Sequence, residues 1–208
     1  MANQRNRFLV VLLIALLVSL AISGIHPYDR ITWLMEVMPT LIAIPILLFT
    51  YKNFPLTTLL YVLIFLHSIV LMIGGAYTYA RVPFGFDIAH WFGWHRNPYD
   101  KIGHFFQGFV PALIAREIFV RNKVVNGRKM LAFIVVCVVL AISATYEFVE
   151  WGAALVMGQG ADEFLGTQGD QWDTQSDMFM ALIGAVVALL TLPKLHDAEM
   201  AKLITPEK

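Results

Sequence analysis

Long apolar stretches separated by short polar ones set the pattern of this chain. They run from about Phe8 to Gly24, Ile31 to Thr50, Pro55 to Gly75, Ile102 to Val120, Met130 to Met157 and Asp177 to Leu192. A helix crosses about 30 Å of hydrocarbon with roughly 20 residues, so each stretch reaches or approaches a transmembrane length. The predicted fold is therefore all-α: a polytopic bundle of about six transmembrane helices, forming a single transmembrane domain over residues 1–208. Pro39, Pro45 and Pro111 fall inside these stretches. They are compatible with helices in a bilayer, where neighbouring groups satisfy the carbonyls that a proline frees. The first stretch follows Arg5 and Arg7 and ends in small residues up to Gly24, so a cleavable signal peptide is the alternative reading of it.

Positive charge is distributed unevenly between the stretches. Arg5, Arg7, Lys52, Arg121, Lys123, Arg128, Lys129, Lys194 and Lys202 collect on one side, against Arg30, Arg81, Arg96 and Lys101 on the other. The positive-inside rule then predicts cytoplasmic N- and C-termini, with Ala76–Lys101 and Gly158–Ser176 outside.

Composition agrees with the pattern: 58% of the 208 residues are hydrophobic and 14% charged, with a mean hydropathy of +0.67. A soluble domain carries about a quarter charged residues, so a water-soluble chain is excluded. Fifteen basic and fifteen acidic residues cancel, which leaves no basic field for nucleic acid. Cys137 is the single cysteine and allows no internal disulfide. Ala181 with Ala185, and Gly184 with Ala188, form small-residue spacings that predict close packing of the sixth helix against a neighbour.

Chemistry is expected where ionisable residues enter the bilayer, because each is costly there unless paired or hydrated. Asp100 and His104 are four residues apart at the outer end of the fourth stretch, and Gln107 continues that helical face. Glu147 and Glu150 share a face of the fifth stretch beside Tyr146 and Trp151, and Asp173 and Asp177 open the sixth. Three helices thus bring acidic or imidazole pairs to one level. Oxygen and imidazole ligands suit Mg²⁺, Mn²⁺ or Zn²⁺, so Asp100, His104, Glu150, Asp173 and Asp177 are candidate metal ligands and His104 and Glu147 candidate catalytic proton carriers. The competing reading pairs each carboxylate with Arg81, Arg96 or Lys101, or uses Asp173 as a helix cap. Glu36 reads as a paired interior acid, His67 as a hydrogen-bonded core histidine, and Arg116 with Glu117 as side chains reaching to the interface. His90 and His95 lie in an aromatic-rich segment, read as a solvated loop that anchors at the interface. The glycine-rich stretch Gly158–Gly169 lacks the context of a phosphate loop.

The runs Arg96–Gly108 (RNPYDKIGHFFQG), Tyr146–Trp151 (YEFVEW) and Gly169–Met178 (GDQWDTQSDM) resemble those of the YjdF family of bacterial inner-membrane proteins. That resemblance implies a multi-pass plasma-membrane protein and adds a location rather than a reaction. More distantly, the order Asp100-Lys101, His104, a later Glu, then an Asp followed by Ala-Leu-Ile-Gly-Ala is similar to VanZ-like membrane proteins. This second likeness implicates Asp100, Lys101, His104, Glu147 or Glu150, and Asp173 or Asp177. Trp151 and an acidic loop stand where VanZ-like chains carry glutamine and arginine. Three functions remain open from the sequence. The first is a metal-dependent site acting on a lipid or polyprenyl-linked envelope substrate, the second a proton- or cation-coupled transporter or channel, and the third a non-catalytic membrane scaffold.

Overall fold

A computed structural model describes residues 2–157 and 168–204, and among these it contains eight helices. They are α1 (Ala2–Ser23), α2 (Arg30–Thr50), α3 (Thr58–Tyr77), α4 (Pro83–Phe92), α5 (Tyr99–Arg121), α6 (Arg128–Met157), α7 (Asp173–Thr191) and α8 (Pro193–Ile204). Helix boundaries follow local chemistry. Asp29 caps α2 by accepting the Thr32 amide at 2.7 Å, and Thr57 caps α3, each satisfying an amide that the helix cannot. Gly93 at φ +67° ends α4, and Gly127 at φ +87° turns the chain into α6; both lie where a side chain would be strained. Asp29 accepts amide hydrogen bonds, chiefly from Thr32, and these hold its carboxyl below the ordinary aspartate range.

Five helices, α1, α2, α3, α6 and α7, are long and apolar enough to cross a bilayer. The expected fourth span, α5, has the length but also carries Asp100, Lys101, His104, Arg116 and Glu117, which spoil its apolar character. Its position resolves the difference, because α5 packs most extensively against α7 and also touches α3 and α6. The order of contacts is parallel: Lys101 meets Asp173 and Asp177, Gly108 meets Ala181, and Arg116 meets Asp197. α5 thus runs beside α7 through the interior of the bundle. In the middle of the bundle its polar residues are kept from lipid. The chain is a multi-pass helical membrane protein.

Close approach of α5 and α7 rests on the small residues anticipated in α7 together with Gly108, which was not singled out. A Cβ on Gly108 would collide with the Ala181 carbonyl, and one on Gly184 with the Phe105 carbonyl. Below this seam the interior is apolar: Leu60, Leu113, Val135, Val139, Ala185 and Ala188 form one cluster. That cluster occupies the end of the bundle where α3 and α6 begin and α5 and α7 finish. At the same end Arg5 of α1 donates to the Leu56 carbonyl at 2.7 Å. The larger group of buried ionisable residues gathers at the opposite end.

Two local readings change. The aromatic-rich segment around His90 is not a plain loop but contains α4, whose Phe84, Phe86, Trp91 and Phe92 are exposed. Past the sixth span the chain adds α8, which the apolar pattern does not reveal. The stretch 158–167, read as a glycine-rich outer loop, lies outside the described residues.

Candidate functional site

The polar end is assembled by the starts of α2, α5 and α7 and the far ends of α3 and α6. Asn97 fixes the approach to α5: its amide donates to the carbonyls of Ala80 and Val82 at 3.1 and 3.0 Å, while its Oδ1 accepts the Tyr99 amide at 3.0 Å. Gln168 pairs with the Asn97 backbone in both directions at 3.0 Å. Tyr79, in a turn with positive φ, lays its ring against Gly74 and Gly103, where no Cβ would fit. These contacts settle where Asp100 and His104 stand.

An outer layer is ion-paired. Arg96 contacts Asp100 at 3.3 Å, Asp170 at 3.1 Å and Asp173. Lys101 Nζ lies 2.6 Å from Asp177 Oδ1, 2.9 Å from Asp173 Oδ1 and 2.6 Å from Ser176 Oγ. Pairing with Arg96 and Lys101, one of the two sequence alternatives, therefore exists in the structure. Asp173 does not cap α7, whose N-cap is Trp172. It sits in the first turn, where a carboxylate complements the helix dipole.

Deeper in, His104 is the centre. Its Nε2 lies 3.4 Å from Asp100 Oδ1 and 3.7 Å from Asp177 Oδ1. Its Nδ1 lies 3.1 Å from Gln107 Oε1 and 4.0 Å from Glu147 Oε1. Asp100, His104 and Asp177 are all buried and each offers a ligand atom within 4.8 Å of the other two. Glu147 Oε1 is buried without a hydrogen-bond partner. Glu150, also buried, lines a cavity of about 130 Å³ together with Glu36, Tyr79, Asp100, His104 and Tyr146. Of the expected ligands, the structure thus groups Asp100, His104 and Asp177, places Glu150 on the cavity wall, and engages Asp173 with Arg96 and Lys101.

Charge does not balance here. Glu36, Asp100, Glu147, Glu150, Asp173 and Asp177 are all buried, against Arg96, Lys101 and the imidazoles of His104 and His67. Even with both imidazoles protonated, two negative charges would be uncompensated if every carboxylate were ionised. Uncompensated buried charge costs several kcal/mol per group, so protons or a bound cation must supply the difference.

Three readings of individual residues are corrected or refined. Glu36 has its expected partner, the Tyr146 hydroxyl at 3.1 Å, yet it faces the cavity. His67 stacks on Phe106 but its buried Nε2 has no hydrogen-bond partner, so it is not a satisfied core histidine. Arg116 and Glu117 do not reach to the interface. Glu117 is 0% exposed and accepts from Thr57 Oγ1 at 2.8 Å, Arg121 at 2.7 Å and His196 Nε2 at 2.9 Å. Arg116 binds Asp197 at 2.7 Å. This second buried network joins α3, α5 and α8 at the opposite end of the bundle. A charged pair one turn from the end of a span, with a His-Asp pair beyond the last span, was the available signal.

Helices that cross the membrane several times, with an acidic and imidazole cavity buried at one end, define a polytopic membrane protein with an intramembrane polar site. The family model described as "Predicted membrane protein (DUF2238)" matches residues 8–198, and the chain belongs to this family. "Inner membrane protein YjdF" of Escherichia coli (strain K12) is 60% identical over 189 residues, covering 91% of this chain and 90% of that protein. No solved structure matches.

Proposed function

We propose that this is a bacterial inner-membrane protein whose outward-facing Asp/His site binds a divalent cation and acts on a lipid-linked envelope substrate. The location follows from its relative in Escherichia coli, named an inner membrane protein. The orientation, with both termini cytoplasmic, follows from the positive-inside rule: Arg5, Arg121 and Lys194 lie toward the end opposite the cavity.

One observation carries the metal reading. His104 Nδ1 sits 3.1 Å from Gln107 Oε1, the second-shell bond that metal-ligating histidines make. With the ring proton on Nδ1, the Nε2 lone pair faces Asp100 and Asp177 oxygens at 3.4 and 3.7 Å. Three electron-rich atoms around one point suit a cation between them. Mg²⁺, Mn²⁺ or Zn²⁺ would be held there by Asp100, His104 and Asp177 and would polarise a phosphoryl or carbonyl oxygen. Glu147, with its unpartnered oxygen, accepts a proton beside it. Glu150 adds charge to the cavity wall, and Asp173 positions Lys101 and Arg96. A conduction path is less favoured, because Val110, Leu113 and Val139 are buried between the cavity and the Glu117 network.

The test is metal content and affinity of the detergent-purified chain with Mg²⁺, Mn²⁺ and Zn²⁺, beside Asp100→Asn, His104→Ala and Glu150→Gln. Stoichiometric metal in the parent and its loss from the first two variants is expected. A parent that retains none of the three ions overturns the reading and leaves protons as the balancing charge.

A further inference from the structure

A second and larger space lies beside the cavity. It measures about 740 Å³ and runs between α2, α3, α5 and α6, with walls supplied by residues such as Met38, Ala43, Ile46, Ile64, Ile114 and Val149. Met38, Ile46 and Val149 are exposed, and at this depth what exposes them is the bilayer, not water. Along α2 the groove extends from Met35 to Thr50, fifteen residue steps or about 22 Å of helix. That exceeds the roughly 15 Å of one hydrocarbon leaflet, half of the 30 Å core.

Several observations separate this groove from an ordinary lipid-facing crevice. It shares Pro39, His67, Leu71, Pro111 and Tyr146 with the polar cavity, so the two spaces adjoin across these side chains. The boundary carries the polar side chains of His67 and Tyr146 among its apolar ones. Thr40, 2% exposed, lines the groove and its buried Oγ1 has no hydrogen-bond partner, and the buried Nε2 of His67 also has none. Pro39 and Pro111 each lack the amide that would bond the carbonyl four residues back, those of Met35 and Gln107, and these residues line the groove and the cavity respectively. Unpartnered polar groups are costly at membrane depth and call for a polar ligand.

We infer that the groove seats one hydrocarbon chain of an ester- or phosphoester-linked membrane lipid, which enters sideways from the bilayer. Its oxygen-bearing linkage lies against Thr40 and His67, and its head group extends into the His104 cavity. This inference rests on the proposed lipid substrate and adds how that substrate is held. The chain end is apolar and long, the boundary offers a hydroxyl and an imidazole to ester or phosphoester oxygens, and the cavity accepts only a compact group. A large glycan would remain at the outer mouth.

The experiment places the full-length protein in nanodiscs of phosphatidylethanolamine and phosphatidylglycerol. The probe is a phosphatidylglycerol carrying a diazirine midway along one acyl chain, and adducts are mapped by mass spectrometry after illumination. Adducts concentrated on the groove walls of α2, α5 and α6 are expected. Ala43→Trp and Ile114→Trp, two independent fillings of the groove, should each reduce them to the level of the lipid-facing side of α1, with the helical spectrum retained. Adducts spread evenly over all lipid-facing helices, or undiminished in both folded variants, would overturn the inference. Repeating the labelling on protein stripped with chelator separates this claim from the metal reading. Groove adducts without any metal retention defeat only the metal centre, whereas metal retention without groove adducts defeats only the chain seat.

Discussion

Placing a methyl group on Gly108 tests the central seam. The Cβ would fall on the carbonyl of Ala181, and backbone cannot swing aside as a side chain can, so α5 and α7 must part. Overpacking of this kind costs about 1–3 kcal/mol. Against that, alanine gains up to about 1 kcal/mol over glycine in helix propensity. A net loss of about 1–2 kcal/mol is expected for Gly108→Ala, and a similar loss for Gly184→Ala at the Phe105 carbonyl. Gly152 in α6 is the control, since a Cβ there meets nothing within 4 Å. Gly152→Ala should leave stability unchanged or raise it by up to the propensity term alone. Reversible unfolding of the detergent-solubilised protein, followed by circular dichroism through a denaturing-detergent titration, reads all three. Because the same seam carries Lys101 against Asp173 and Asp177, the two destabilised variants should also hold the proposed metal more weakly than Gly152→Ala. Gly108→Ala as stable as the parent would refute the assignment of α5 and α7 as a close-packed parallel pair.

Other expectations follow from individual contacts. Removing Glu117 leaves His196 and the Thr57 amide without their buried partner, so Glu117→Ala should cost about 3–5 kcal/mol in the same titration. Glu117→Gln, which keeps an acceptor for Thr57, should cost less. Asp29→Ala should cost about 1 kcal/mol through loss of the α2 cap. The cap also predicts a pH dependence. The Asp29 carboxyl is held below its ordinary value of 3.8 by the Thr32 amide, so its contribution is complete above that value and disappears as pH falls through the lowered folded-state value. Stability should therefore drop more gently below pH 4 in Asp29→Ala than in the parent, as measured by unfolding at fixed pH steps.

How much the sequence revealed differs between the two ends of the bundle. The meeting of Asp100, His104, Glu147 and Asp177 was legible because helical spacing places paired residues on one face and alternating span direction brings the three faces to one level. Hydropathy also located α5, even though its charges lower its apolar character, since its length survived. The partition of roles within the cluster was not legible. Spacing alone cannot show that Asp173 turns to Arg96 and Lys101 while Asp177 also reaches His104, because that depends on the rotation of α7 about its axis. Glu117 was misread for a related reason. A charged residue near the end of a span ordinarily extends to the interface, and its partner His196 is remote in sequence, on a helix without an apolar signature. The groove beside Pro39 and Pro111 left no mark in the pattern, since lining a groove and facing lipid select the same residues.

The depth of His104 has an electrical consequence. It lies five residues into α5, about 8 Å along the helix from its start, or roughly a quarter of the 30 Å hydrocarbon thickness. On the proposed orientation and metal reading, a cation reaching it from outside would traverse that fraction of the membrane voltage. At about 2.3 kcal/mol per elementary charge per 100 mV, a divalent ion gains on the order of 1 kcal/mol. In an energised cell, with its interior negative, occupancy of the site would therefore rise several-fold over that in a detergent micelle at the same free ion concentration. Respiration itself would then help to load the site.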